Sequence, residues 1–164
     1  MPPSVTLRPA TPADREFLFQ VYAASRAEEL APVPWSAEEK SEFLRQQFAA
    51  QDRAYRNDYA AAAFDVIELE ARPVGRLYVD RTPTEIHLID IALLPECRGQ
   101  GIGTALVREV VDEAARTKRP IRLYVEHGNP ARRLYQRLGF AEVEEHGPYW
   151  RLEWSPTASP TAST

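Results

Sequence analysis

At 164 residues, with 44% hydrophobic and 27% charged residues, the chain has the make-up of one globular domain long enough to bury a core. A net charge of −4 argues against nucleic acid as a partner and suits a cationic one, and no apolar run reaches the ~18 residues of a membrane span. The start Met1-Pro2-Pro3-Ser4 lacks the basic and apolar regions of a signal peptide, and a single cysteine excludes an internal disulfide framework, so a reducing, cytoplasmic setting is expected.

Ser4 to Arg8 has the character of a short strand. Thr11, with Pro12 at the first helical position and Asp14 in the first turn, predicts a helix start, and Phe17, Leu18, Val21, Tyr22 and Ser25 form its inner stripe. Ala31-Pro32-Val33-Pro34 interrupts the pattern. Ser36 and Glu39 make a capping box for a second helix that turns Phe43, Leu44 and Phe48 inward. No signal marks its end, since Gln51 to Tyr59 is polar and carries Tyr55 and Tyr59 without a clean period.

The period then changes to two. Ala62 to Leu69, Val74 to Asp80 and Glu85 to Leu93 predict an antiparallel meander, with turns at Glu70-Ala71-Arg72-Pro73 and Arg81-Thr82-Pro83-Thr84. An amphipathic segment from Thr104 to Arg116 follows, with Ile102, Ala105, Leu106, Val110 and Ala114 on one side, and Pro120 prevents its continuation. Ile121 to Val125 predicts another strand. Asn129 is placed to cap a fourth helix with Pro130 at its first position, a buried stripe of Ala131, Leu134, Tyr135 and Leu138, and a left-handed Gly139 at its end. Phe140 to Glu145 and Tyr149 to Trp154 form a closing hairpin around Gly147-Pro148. The last ten residues are only Ser, Pro, Thr and Ala, which predicts a single domain over 1–154 and a disordered tail over 155–164. The order βααβββαβαββ is an α+β arrangement.

The chemistry concentrates at Leu94-Pro95-Glu96-Cys97-Arg98-Gly99-Gln100-Gly101-Ile102-Gly103-Thr104, between a predicted strand and a predicted helix. Unpaired N–H groups and the positive end of a helix dipole suit an anion there, glycines admit positive φ, and Arg98 adds a fork of donors, so a diphosphate is the natural guest. A P-loop would need Gly-Lys-Ser/Thr, and the dinucleotide fingerprint a glycine where Thr104 stands.

This run, from Leu93 to Gly103, resembles the acetyl-CoA pyrophosphate loop of the GCN5-related N-acetyltransferases, the GNAT superfamily. Asn129-Pro130-Ala131-Arg132-Arg133-Leu134-Tyr135-Gln136-Arg137-Leu138-Gly139-Phe140 is similar to that family's Asn…Leu-Tyr-x-x-x-Gly-Phe segment, although Asn129 precedes Tyr135 by six residues where seven is common. The resemblance spans roughly residues 5 to 154. It implies a mixed central sheet with helices on both faces, acetyl-CoA as co-substrate, no metal, and a monomer or homodimer that acts on an amine.

Residue by residue, the resemblance implies that the backbone of Ile91, Ala92 and Leu93 pairs with the pantetheine arm, where two parallel strands splay. It implies that Arg98, Gly99, Gln100, Gly101, Ile102, Gly103 and Thr104 supply the pyrophosphate N–H groups, and that Asn129 contacts the pantetheine neighbourhood. Tyr135 is the candidate acid for the departing thiolate; a packing role is its alternative. Candidates for the general base are Glu85, His87 and Asp90. His87 titrates in a useful range and shares a face with Glu85, whereas Asp90 falls on the other face unless the strand bulges. Glu126 and His127 are outside candidates.

Cys97 is not expected to be a nucleophile, since no His or Asp is placed by sequence to activate it. Acceptor contacts are expected from Tyr22, Glu28, Glu29, Trp35, His146, Tyr149 and Trp150, where acids and aromatics would favour a cationic amine. The competing reading is a non-catalytic acyl-CoA sensor, which would need the loop but neither Tyr135 nor a base.

Overall fold

The change of hydrophobic period near residue 60 is realised as a change from helices to strands in the computed structural model, which describes residues 4–156. The elements are β1 (Val5–Pro9), α1 (Arg15–Leu30), α2 (Ala37–Asp58), β2 (Ala63–Leu69), β3 (Arg72–Arg81), β4 (Ile86–Leu93), α3 (Ile102–Thr117), β5 (Ile121–Glu126), α4 (Ala131–Arg137), β6 (Ala141–His146) and β7 (Tyr149–Trp154), with 3-10 turns at Pro12–Asp14 and Pro95–Cys97. The order along the chain is the expected one. Residues 157–164 of the expected tail lie outside the described residues.

The strands form one seven-stranded mixed sheet in the order β1-β2-β3-β4-β5-β7-β6. β1 pairs antiparallel with β2, β5 with β7 and β6 with β7, whereas β4 and β5 run parallel. A parallel pair needs a long crossover, and the segment carrying α3 provides it. Two compact units share the sheet: one takes the chain through Tyr78 together with Asp90–Gln100, and the other takes Val79–Ile89 and the chain from Gly101 onward.

In the first unit, Leu18, Phe19 and Tyr22 of α1 pack with Leu44 and Phe48 of α2 and with Val66 of β2. Phe19 takes the inner place expected of Ser25, which is exposed and donates its hydroxyl proton to the Tyr22 carbonyl at 2.6 Å. Phe43 is 36% exposed rather than inward, and packs edge-on against Trp35 with ring centroids 5.3 Å apart. The Ser36 capping box forms as expected: the Glu39 N–H donates to Ser36 Oγ at 3.1 Å, and the Ser36 N–H donates to Glu39 Oε1 at 2.9 Å. Glu70 and Ala71, at φ 51° and 69°, form the whole β2–β3 connection, so Arg72 and Pro73 belong to β3 rather than to the turn.

In the second unit, α3 buries Ile102, Leu106, Val107, Val110 and Ala114; Ala105 is exposed and Val107 takes the inner place. Only Tyr135 of the expected α4 stripe is buried, with Ala131, Leu134 and Leu138 half-buried. On β5, Ile121, Leu123 and Val125 are buried, while Arg122, Tyr124 and Glu126 alternate with them on the opposite, more open face. Arg132 of α4 lies 5.3 Å from the ring of Trp150, the rung opposite Val125.

Candidate active site

The expected site residues belong to both units and are taken unit by unit. In the first, β4 runs to Leu93 and ends in the Pro95–Cys97 turn, followed by extended Arg98 and a left-handed Gly99 at φ 74°. Arg98 donates from Nε to the Leu93 carbonyl at 3.1 Å, and Gln100 donates from Nε2 to the Glu96 carbonyl at 3.0 Å. These two bonds fold the loop back on the strand end. No atom lies within 4 Å of where a Cβ on Gly99 would stand, so glycine is required there by conformation and not by space.

Asp90 is paired with Arg76 of β3, a guanidinium only 4% exposed that also donates to Gln51 Oε1 at 2.9 Å and lies 4.9 Å from the ring of Tyr78. Asp90 is therefore the counterion of a buried cation before it is anything else. Arg76 was not anticipated from sequence. Its signal is a lone charge inside Val74-Gly75-Arg76-Leu77-Tyr78-Val79, an otherwise uncharged strand run.

In the second unit, Gly101, at φ 82°, is the residue before the first turn of α3. The first intrahelical bond runs from the Ala105 N–H to the Gly101 carbonyl at 3.0 Å, which leaves the N–H groups of Ile102, Gly103 and Thr104 outside the helical ladder. Asn129 caps one position further out than expected. Its Oδ1 accepts from the Ala131 N–H at 2.9 Å, and α4 begins at Ala131 rather than Pro130. Tyr135 is 7% exposed and meets Phe140 edge-on at 5.5 Å.

His87 and Glu85 share a neighbour, Arg122. The parallel ladder of β4 and β5 consists of Ile86 with Ile121 and His87 with Arg122, and it stops there, although β4 continues through Ile91, Ala92 and Leu93. Arg122 donates from Nε to Glu85 Oε1 at 2.9 Å and from Nη1 to the Tyr124 hydroxyl at 3.4 Å. His87 is 5% exposed and lies edge-on to Tyr124 at 6.1 Å. Burial and then the Arg122 cation push its imidazole down to about 4, against a weaker pull upward from Glu85. Arg122 and Tyr124 were not anticipated either, because outward residues on a half-open strand look like solvated surface.

Other expected residues are dispersed. In the first unit, Trp35 meets Phe43 edge-on, and Glu29 pairs with Arg26 at 2.9 Å. In the second, His127 stacks on Trp150 at 5.3 Å and faces Glu145 at 3.5 Å, and His146 lies 5.7 Å from Tyr124. Cys97 is buried. Among the described residues no group of three or more His, Cys, Asp and Glu could hold a metal ion, and no helix is long and apolar enough to cross a membrane.

The chain has an α+β fold of this order, with a glycine loop joining the end of a strand to a helix. The model of the acetyltransferase (GNAT) family matches residues 23–140, and the chain belongs to that family. It is 38% identical over 92 residues to an uncharacterized N-acetyltransferase of Methanocaldococcus jannaschii, covering 49% of this chain and 40% of that one. An N-alpha-acetyltransferase of Sulfurisphaera tokodaii is 32% identical over 98 residues, covering 51% and 59%. The chain thus spans about half the length of these relatives. Its fold matches that of the PaiA N-acetyltransferase of Thermoplasma acidophilum, solved in complex with coenzyme A, with a TM-score of 0.71 over 93% of this chain and 99% of that one at 20% identity.

Proposed function

We propose that this chain moves an acetyl group from acetyl-CoA directly to a primary amine, of a small molecule or of a peptide or protein. The observation that carries this reading is the backbone of the glycine loop. Left-handed Gly99 and Gly101 turn the chain from β4 into α3 and leave N–H groups at the helix start outside its ladder. Such groups, aided by the helix dipole, favour a diphosphate. In this reading Arg98 through Thr104 take the pyrophosphate. Ile91, Ala92 and Leu93, which lie beyond the end of the parallel ladder, offer main-chain groups to the amide-rich pantetheine, and Asn129 serves its neighbourhood.

The amine nitrogen attacks the thioester carbonyl carbon and the C–S bond breaks. The amine proton passes to a base, and the thiolate takes a proton from Tyr135. His87 is held neutral, but its midpoint of about 4 lies below the range expected from its residue type, which makes it a weaker base. Glu85 is engaged with Arg122, and Asp90 with Arg76. We place the protein in the cytoplasm as a monomer or homodimer, with no nucleic-acid partner.

The test is a mass-spectrometric screen for acetylated product, with purified protein, acetyl-CoA and a panel of amines and short peptides, beside a direct binding measurement. Product is the expected result. Binding without product across the panel favours the acyl-CoA sensor, and absence of binding overturns the loop assignment.

A further inference from the structure

His87 and Arg122 are opposite rungs of the last step of the parallel ladder, so their side chains leave the sheet on the same face. Glu85, two residues before His87, shares that face and binds the Arg122 guanidinium at 2.9 Å; the Tyr124 hydroxyl accepts from the same guanidinium at 3.4 Å, and its ring lies against His87. The bond to Glu85 and the longer one to Tyr124 hold this cation on the imidazole's face of the sheet. Protonating His87 would set a second cation, almost fully buried, next to the first, with one carboxylate already committed to Arg122. We propose that Arg122 is a positioning residue that keeps His87 in its uncharged form, and that Glu85 is the counterion that limits how strongly Arg122 acts.

Arg122 and Glu85 are the two charged groups that act electrostatically on this imidazole. His146 adds a second imidazole with its centroid 5.7 Å from the Tyr124 ring. The arrangement makes an imidazole that stays uncharged at neutral pH and is a weaker base than a solvated one, so its catalytic meaning rests on His87 being the base.

The experiment is a titration of the His87 ring resonances by NMR in the wild type, Arg122→Met and Glu85→Gln, alongside the pH dependence of kcat/KM for any amine found to be acetylated. Removing Arg122 is expected to raise the His87 midpoint by about one pH unit. Removing the Glu85 charge leaves Arg122 uncompensated and is expected to lower the midpoint, so that at about pH 4.5 the protonated fraction falls in Glu85→Gln and rises in Arg122→Met. Opposite directions in the two variants support the proposal. A loosened structure would move both upward, toward the value of a solvated histidine, and both moving upward, or neither moving, overturns it. The acid limb of the rate profile is a separate reading. If the NMR midpoints move in opposite directions while the limb stays in place, the Arg122 proposal stands and His87 is not the base.

Discussion

Tyr135 and Asp90, both candidates for chemistry, each have a structural duty in the fold. Tyr135 is buried against Phe140 on the inner side of a two-turn helix, so its ring contributes packing whatever its hydroxyl does. Removing only the hydroxyl separates the two. Tyr135→Phe is expected to slow acetyl transfer by about 100-fold, the scale of a lost general acid, with acetyl-CoA affinity nearly unchanged. Single-turnover rates beside binding isotherms check this, and unchanged turnover removes Tyr135 from the proposed chemistry.

At Asp90 the confusion runs the other way. Deleting a carboxylate that balances a buried guanidinium leaves an uncompensated charge, so Asp90→Ala is expected to destabilise the protein by about 3 kcal/mol. Denaturant unfolding measures it, and a loss below about 1 kcal/mol shows that the pair adds little. A drop in activity in that variant is evidence about a base only after its folded fraction has been measured.

At the scale of elements, the joint between β4 and α3 turns on two left-handed glycines. Gly99 and Gly101 hold positive φ in open space, with nothing within 4 Å of a would-be Cβ, so packing does not explain them. An L-residue there costs about 1 kcal/mol of strain, which a folded protein tolerates. Gly101→Asp adds a negative charge in the path of a diphosphate and is expected to abolish acetyl-CoA binding while the thermal transition stays within a few degrees. Retained affinity, measured calorimetrically, refutes the phosphate-loop assignment.

The same element shows what was legible. Glycines between an apolar run and an amphipathic one mark a strand-to-helix turn because few other residues adopt that backbone. The β2–β3 turn was legible only in place, since Glu70-Ala71 carries none of the Asn-Gly signal that two successive positive φ values normally call for. Its length was misjudged because Pro73, which usually interrupts strands, is accepted within β3. The α4 stripe failed for a different reason: a helix of seven residues has room to bury one side chain well, and Tyr135 takes that place.

For the whole molecule, the buried histidine ties stability to pH. The folded midpoint of His87, about 4, lies below the ordinary 6.5, so the unfolded chain takes up its proton first as pH falls. Stability from this group is fully present above about pH 6.5, declines as pH falls toward about 4, and is then down by about 3 kcal/mol. Asp14 acts in a lower window. The Arg8 guanidinium and the Thr11 N–H hold its carboxyl well below the usual range, so its contribution is present near pH 4 and is lost only in stronger acid. Urea unfolding at about pH 7, 5.5 and 4.5 is expected to show the decline, and His87→Gln to flatten it. An equal slope in both proteins assigns the decline elsewhere.

The sequence by itself determined the element order, the Ser36–Glu39 capping box and the glycine loop, whereas the start expected after Thr11 is a 3-10 turn and α1 begins at Arg15. Each is written in residues near one another in the chain and rests on local physics: hydrophobic period, capping geometry and the backbone freedom of glycine. Tertiary structure alone decided which charges meet. Arg76 reaches Asp90 and Arg122 reaches His87 and Glu85 across neighbouring strands, and a strand's own alternation gives the face of a residue but not the identity of its neighbour on the next strand. The candidates Glu85, His87 and Asp90 were therefore legible as a set. Their different charge environments were not, because charge environment is a property of the sheet.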